Sequence, residues 1–421
     1  MASLVLLLLL SGLLCPAQTY VEELSDTFWE NHGKDETWII KFYTPWCRFC
    51  KQLDPIWSEI GSELRNLGSP VQVGRVDATS QTALAKEFKV RTYPAFFLLK
   101  NERKYEYTGP KTKEAILDFT YRVSGPAVRS LSSPQLVSNA LSRHSVLFLF
   151  VGASSPLKSN FTATAQELII HTHFYSTIRE HLPKWVSVTL FPAVLVFKDD
   201  TYIPFDPAEG VDLRTWVNRE RFQRFCKLNS FTLYSMGDSG RPVLVSVLGN
   251  SRSEQSLRSK SLVQKISTDY KSEFRDMYFG FLEDTDFISG LMMSDDITVP
   301  LLLVLNLTND SYFLPPGDVA TEQDLVQFLN AVMAGTLEAQ GGNSVIQRIK
   351  RFGYEVKVTL STVFQEAPVF GVLLVSIPSG VILSLLFLVY KACATVDEDD
   401  DDNAAAVSTA AQKRHKRKKS D

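Results

Sequence analysis

The apolar positions of this chain are gathered into short runs separated by mixed, polar-rich segments. Residues 1–17 are almost wholly apolar and uncharged, with leucines from Leu6 to Leu10. Further on, residues 38–43, 95–99, 146–151, 193–197, 243–248 and 301–305 are apolar or aromatic but for Lys41 and Ser246, and five or six residues long, as strands are. Such continuous runs suit central strands covered on both faces by helices. Between them lie segments with helical spacing, among them 81–88, 164–172 and the stretch that runs to Leu67. A last apolar stretch, 369–390, carries no charge, and beyond it the chain alternates blocks of like charge.

The runs repeat. Tyr93-Pro94, Phe191-Pro192 and Val299-Pro300 each open an apolar run, and the prolines are 98 and 108 residues apart. That period is the size of a whole domain rather than of a solenoid unit. Proline belongs at the first position of a buried strand, because it donates no ladder hydrogen bond. An X-Pro bond has only a small trans preference, so Pro94 is open to either isomer. Each unit is read as βαβαββα.

Length and composition bound the class. A chain of 421 residues, 45% apolar and 22% charged, is globular and of two to four domains, neither collagenous nor disordered as a whole. A net charge of −3 gives no basic field for nucleic acid. Five cysteines are too few for a disulfide-stapled scaffold.

The termini carry the topology. Residues 1–17 read as a secretory signal peptide ending in small residues. Residues 369–390 are long enough to cross a ~30 Å hydrocarbon core. Together they give a type I single-pass protein whose bulk is lumenal. The tail, 391–421, reads as disordered: Asp397 to Asp402 are acidic, and Lys413, Arg414 and Lys416 to Lys419 basic. Lys418 and Lys419 stand where the dilysine retrieval signal of endoplasmic reticulum membrane proteins stands, which implies coat machinery as a partner; a basic tail also meets anionic lipid. Cys393 is either a palmitoylation site or an idle thiol.

Cys47-Arg48-Phe49-Cys50 is the segment with chemistry in it. Two cysteines one turn apart at a helix start can close a disulfide, and the helix N-terminus favours the thiolate of the first. That thiolate attacks a disulfide and the second cysteine resolves the mixed disulfide. Zinc would need four ligands, yet there is no second C-x-x-C and the six histidines are scattered; His171 and His173 would face opposite sides of any helix.

The stretch F-Y-T-P-W-C-R-F-C-K resembles the active site of thioredoxin and of the protein disulfide isomerase family. The layout of one unit with the cysteine pair, two without, a membrane helix and a dilysine tail resembles the larger transmembrane thioredoxin-related proteins of the endoplasmic reticulum. The resemblance implies an α/β fold of three tandem thioredoxin-like domains: a catalytic one over 18–125 after the 1–17 signal, cysteine-free ones over 126–228 and 229–345, a juxtamembrane linker over 346–368, the membrane helix and the tail. It implies Cys47 as nucleophile and Cys50 as resolver, a substrate groove formed by Trp46 and a cis Pro94, and Arg122 as an arginine that swings toward the resolving cysteine. It implies an endoplasmic reticulum protein disulfide isomerase whose clients are folding secretory and membrane proteins, reset by a lumenal oxidant or glutathione. No external cofactor is needed, because the cysteine pair carries the electrons.

The chain departs from that family at two places. Phe49 replaces the histidine of Cys-Gly-His-Cys, with Arg48 restoring some positive potential. Lys41 stands where the family has a buried carboxylate that accepts the proton of the resolving thiol. Lys41 either loses its proton through burial or snorkels to water and does nothing. The expectation is slowed turnover, with a redox-weak, membrane-tethered client-binding adaptor as the rival. Cys226 reads as a buried inert thiol, or else a client-facing one. Asn160, Asn306 and Asn309 head N-glycosylation sequons. Phe279, Phe281, Phe287, Met292 and Met293 read as ordinary core, or else as a client surface.

Overall fold

A computed structural model of the chain describes residues 20–249 and 253–391. The expected signal peptide, Cys393, Lys418 and Lys419 lie outside the described residues. The described chain forms two bodies. One comprises residues up to 285 together with 297–342; the other comprises 286–296 and the residues from 343 onward.

The first body contains three sheets of one topology. The first is built from β1 (Glu22–Glu23), α1 (Phe28–Asn31), β2 (Thr37–Tyr43), α2 (Arg48–Gln52), α3 (Asp54–Asn66), β3 (Val71–Asp77), α4 (Thr82–Glu87), β4 (Ala95–Lys100), β5 (Arg103–Tyr107) and α5 (Lys113–Ser124). Its strand order is β1-β3-β2-β4-β5; the first three are parallel, and β4 and β5 run antiparallel. The second has β6 (Arg129–Ser130), α6 (Pro134–Arg143), β7 (Val146–Val151), α7 (Pro156–Leu168), β8 (His173–Thr177), β9 (Ala193–Lys198), β10 (Thr201–Pro204) and α8 (Leu213–Glu220), and repeats that order. The third has β11 (Phe225–Lys227), α9 (Ser230–Gly237), β12 (Val243–Val247), α10 (Glu254–Asp269) and β13 (Tyr278–Leu282). After these come β14 (Leu301–Asn306), β15 (Ser311–Phe313), α12 (Glu322–Met333) and β16 (Gln340–Gly341), in the same order with β16 added at the edge.

The α/β fold expected from the repeat is therefore present three times, and the six apolar runs are its central strands. Each unit differs from βαβαββα in opening with a further short strand, β1, β6 or β11, paired parallel to the sheet edge and followed by a helix. The second unit has only a single 3-10 turn where that order expects an α-helix between β8 and β9. These strands are two or three residues long and Glu22-Glu23 and Arg129-Ser130 are polar, so no apolar run marks them. The boundary expected at 228 falls after β11, which belongs to the third sheet. The segment 164–172 is not one helix: α7 begins at Pro156 and stops at Leu168. The helix expected up to Leu67 is two helices, because Pro55 at the start of α3 cannot continue the turn of α2.

Alternation along β2 sorts its side chains between two cores. Trp38, Ile40 and Phe42 pack with Phe28, Leu84 and Phe97 on one face. Ile39 packs with Trp57, Ile60 and Phe96 beneath α3 on the other. Lys41 has the parity of Ile39, so it points under α3. Phe279 and Phe281 are buried core on β13.

The second body holds α11 (Asp286–Met292), α13 (Val345–Glu366) and a helix over Pro368–Lys391. The expected linker is thus mostly helix. The last helix has a mean hydropathy of 2.6 and, among the described residues, is the one long and apolar enough to cross a membrane. Phe287 and Met292 of α11 are partly exposed, as is Met293 after it.

Candidate active site

β2 delivers the cysteine pair. After Tyr43 the chain turns through Thr44, Pro45 and Trp46, and Cys47 occupies the N-cap of α2. The two cysteines form a disulfide, their Cα atoms 5.2 Å apart. The backbone N–H of Cys50 donates to Sγ of Cys47 at 3.1 Å. A donor aimed at that sulfur stabilises the thiolate more than the thiol, which favours Cys47 as the nucleophile. Cys47 keeps 8% of its surface exposed and Cys50 only 1%, so Cys47 is the more accessible of the two.

Register places Pro94 at the same end of the sheet. Phe42, near the end of β2, pairs with Ala95, the first residue of antiparallel β4. The segment leaving β2 toward Cys47 and the segment entering β4 through Pro94 therefore sit side by side. The Tyr93–Pro94 bond is cis, as are those before Pro192 and Pro300. Trp46 and Phe49 stand out from this end, 74% and 70% exposed. Two large aromatic rings are thus left in water beside the disulfide. Arg48, the first residue of α2, is exposed as well.

Lys41 does not snorkel. Its side chain is fully buried, and Nζ donates to Oδ1 of Asp54 at 2.5 Å. The ammonium also lies 5.7 Å from the Tyr43 ring centroid and 5.9 Å from that of Trp57. Burial pushes its pKa below the usual lysine value, against the hydrogen bond and charge of Asp54. Beside it, burial and a hydrogen bond to Glu23 push the Tyr43 phenol up to about 12. Glu23 also pairs with Arg75. The position that the resemblance assigns to a carboxylate is thus filled by an ammonium with a carboxylate partner on α3. Sequence reading missed Asp54. Its signal was an Asp-Pro pair opening a helix, where a carboxylate faces the N-terminal N–H groups.

Arg122 is tied elsewhere. Nε donates to the Ile169 carbonyl at 2.7 Å, one terminal nitrogen to the Ile170 carbonyl at 3.0 Å, and the other pairs with Asp118. These partners fix it at the junction of the first and second units. Asp118 also meets His173, whose ring stacks on His144 at 3.7 Å. Burial works against the Asp118 carboxylate, but the His173 bond and the Arg122 charge prevail and hold its pKa at about 2. Asp118, His144 and His173 bring potential ligand atoms within 4.8 Å of one another. Both Asp118 oxygens are already engaged, by His173 and Arg122, and the stacked imidazoles meet face to face, so the group is an ion-paired hub between units. His173 lies on β8, not on a helix with His171.

Cys226 is unpaired and partly covered on β11. Burial, with some help from Asp199, pushes its thiol up to about 11. Asn160 is exposed on α7. Oδ1 of Asn306 accepts from the Thr308 N–H, and Oδ1 of Asn309 accepts from the Ser311 N–H and hydroxyl.

The thioredoxin family model matches residues 20–122, and the model described as a thioredoxin-like domain matches residues 150–331. Protein disulfide-isomerase TMX3 of Homo sapiens is 44% identical over 375 residues, covering 89% of this chain and 82% of its own. The Xenopus laevis protein of the same name is 44% identical over 369 residues, covering 87% and 81%. Among solved structures, human ERp44 form II aligns at a TM-score of 0.35 and 16% identity, covering 77% of this chain and 93% of that one.

Proposed function

The chain belongs to the protein disulfide-isomerase family, and from that premise we propose a division of labour in its cysteine pair. The protein is a thiol–disulfide oxidoreductase of the endoplasmic reticulum membrane, anchored by one spanning segment. In our reading the reduced enzyme attacks a client disulfide with the Cys47 thiolate, forming a Cys47–client mixed disulfide and releasing one client thiolate. The Cys50 thiolate then attacks Sγ of Cys47, which expels the second client thiolate and closes the Cys47–Cys50 disulfide. Two electrons pass to the client. Run backward, the same steps oxidise a client dithiol. Where the freed client thiolate instead opens a second client disulfide, and the thiolate so released attacks the mixed disulfide, Cys47 leaves as a thiolate and the client is isomerised with no net transfer of electrons.

What supports this reading is the cysteine pair at the end of β2, side by side with the cis Tyr93–Pro94 entry to β4 and flanked by exposed Trp46 and Phe49. The clients are folding secretory and membrane proteins that offer extended apolar segments to those rings. A lumenal oxidant or glutathione resets the pair, and the dilysine tail returns the protein through coat machinery. Lys41 slows the cycle, because an ammonium held by Asp54 does not take the proton that Cys50 must lose before it can attack.

Turnover of a fluorogenic disulfide by the full-length protein, with glutathione as reductant, tests the reading. Turnover abolished by Cys47→Ser supports it. Turnover that survives Cys47→Ser overturns it. The burial of Lys41 also motivates the rival, a client-binding adaptor of weak redox activity; it expects clients held without any covalent bond to Cys47.

A further inference from the structure

Helix α13 has an apolar side that the described protein leaves uncovered. At 100° per residue, Val345, Ile349, Phe352, Val356 and Val363 fall on one stripe of its 22 residues. None of the helix is buried, and Val345, Ile349 and Phe352 are 73%, 66% and 68% exposed. The opposite side is polar and engaged: Tyr354 donates its hydroxyl to Oδ1 of Asp295 at 2.7 Å, and Nζ of Lys357 lies 2.6 Å from Oδ2 of the same residue. The contact within this body thus uses the polar face and turns the apolar stripe outward.

Two observations say what covers it. Ala367 alone separates α13 from the helix over Pro368–Lys391, so the C-terminal end of α13 starts at the edge of the bilayer that helix crosses. A surface tethered one residue from the spanning segment meets lipid at high effective concentration. The charge is also suited: α13 carries Arg348, Lys350, Arg351 and Lys357 against Glu355 and Glu366, a cationic balance that favours phosphate headgroups. A helix of low net hydrophobicity with a basic polar face and a Phe-containing apolar face is the interfacial type, which sinks ~5–10 Å into the headgroup boundary.

We propose that α13 lies in the plane of the lumenal membrane surface, its Val345–Ile349–Phe352–Val356 stripe in the acyl–headgroup boundary. The protein then has a second membrane contact beside its spanning helix, running along the surface for about 33 Å at 1.5 Å per residue.

The test uses the full chain in liposomes of phosphatidylcholine brominated at carbons 6 and 7 of one acyl chain. Phe352→Trp reports the stripe and Gln347→Trp the opposite side, each read as the emission added to the parent protein. Quenching several-fold stronger at position 352 than at 347, with blue-shifted emission, is expected. Equal quenching at both positions, or none at either, overturns the proposal. Added emission from the Phe352→Trp protein that neither bromolipid nor aqueous iodide quenches also overturns it, because the stripe is then covered by protein, such as a second copy of the chain.

Discussion

The Lys41 ammonium, fully buried beneath α3, is hydrogen-bonded at 2.5 Å to the Asp54 carboxylate, whose own side chain is about half in water. One partner of this pair has lost its hydration and the other has not. That asymmetry decides what each substitution does. Removing Asp54 leaves a buried charge without its counterion; removing the Lys41 charge leaves a carboxylate that water can solvate.

Asp54→Ala is therefore expected to destabilise the protein by about 3–5 kcal/mol, the cost of orphaning a buried ion, moderated by the depressed pKa of Lys41. Lys41→Met keeps the volume and is expected to be neutral or stabilising. Thermal unfolding of the full chain in detergent, followed by near-ultraviolet circular dichroism, measures both. Equal losses in the two variants would show that the pair is not organised as described.

Lys41→Glu is expected to speed turnover. A glutamate at this position faces Asp54, and the like charge raises its pKa toward that of a working proton acceptor. Acid–base assistance contributes ~10²–10⁴-fold, so a gain of roughly tenfold or more in kcat is the expectation. Lys41→Met removes the positive charge without supplying an acceptor and is expected to give no such gain. If Lys41→Met speeds turnover equally, charge removal rather than proton transfer is responsible.

Cys226 should be slow to alkylate. A thiol pushed up to about 11 is far less ionised at pH 7.5 than an ordinary cysteine of pKa ~8.5, by about two orders of magnitude in thiolate. In the reduced protein, iodoacetamide should modify Cys47 long before Cys226, and the Cys226 rate should climb about tenfold per pH unit up to its pKa. Comparable rates at pH 7.5, read by peptide mass spectrometry, would contradict this.

Acid should weaken the junction of the first two units. Burial, with the charge of neighbouring His173, pushes His144 down to about 4, from 6.5 for a free histidine. Between those values the unfolded chain binds more protons than the folded one, so stability rises with pH across the window. The contribution is complete above pH 6.5 and is lost as pH falls toward 4. Thermal melts from pH 7 to 4.5 should decline, and His144→Gln should flatten the decline in part; an unchanged slope in that variant would exclude His144 as a source.

The central strands were legible because burial on both faces forces continuous apolar runs such as Phe148–Phe150 and Leu303–Leu305. The cysteine pair was legible because its chemistry demands a fixed spacing. Strands of two or three residues at the sheet edge, Glu22-Glu23 among them, bury too little side chain to leave a pattern. The Lys41–Asp54 pair was not legible, because a buried charge finds its partner across 13 residues through tertiary packing. The engagement of Arg122 with Ile169 and Ile170 likewise comes from the docking of two units, which no local pattern encodes. Helix α13 does carry its signal in the spacing of Val345, Ile349, Phe352 and Val356, although the flanking charges give the segment the composition of a linker.

The most direct test of the account is covalent trapping. In cells expressing the full-length Cys50→Ala protein, the mixed disulfide formed by Cys47 has no resolver, so client adducts should accumulate on non-reducing gels and vanish on reduction. The Cys47→Ala/Cys50→Ala protein should form none. Clients that associate without any reducible bond to Cys47, with no adducts in the Cys50→Ala protein, would contradict the oxidoreductase mechanism and favour the adaptor.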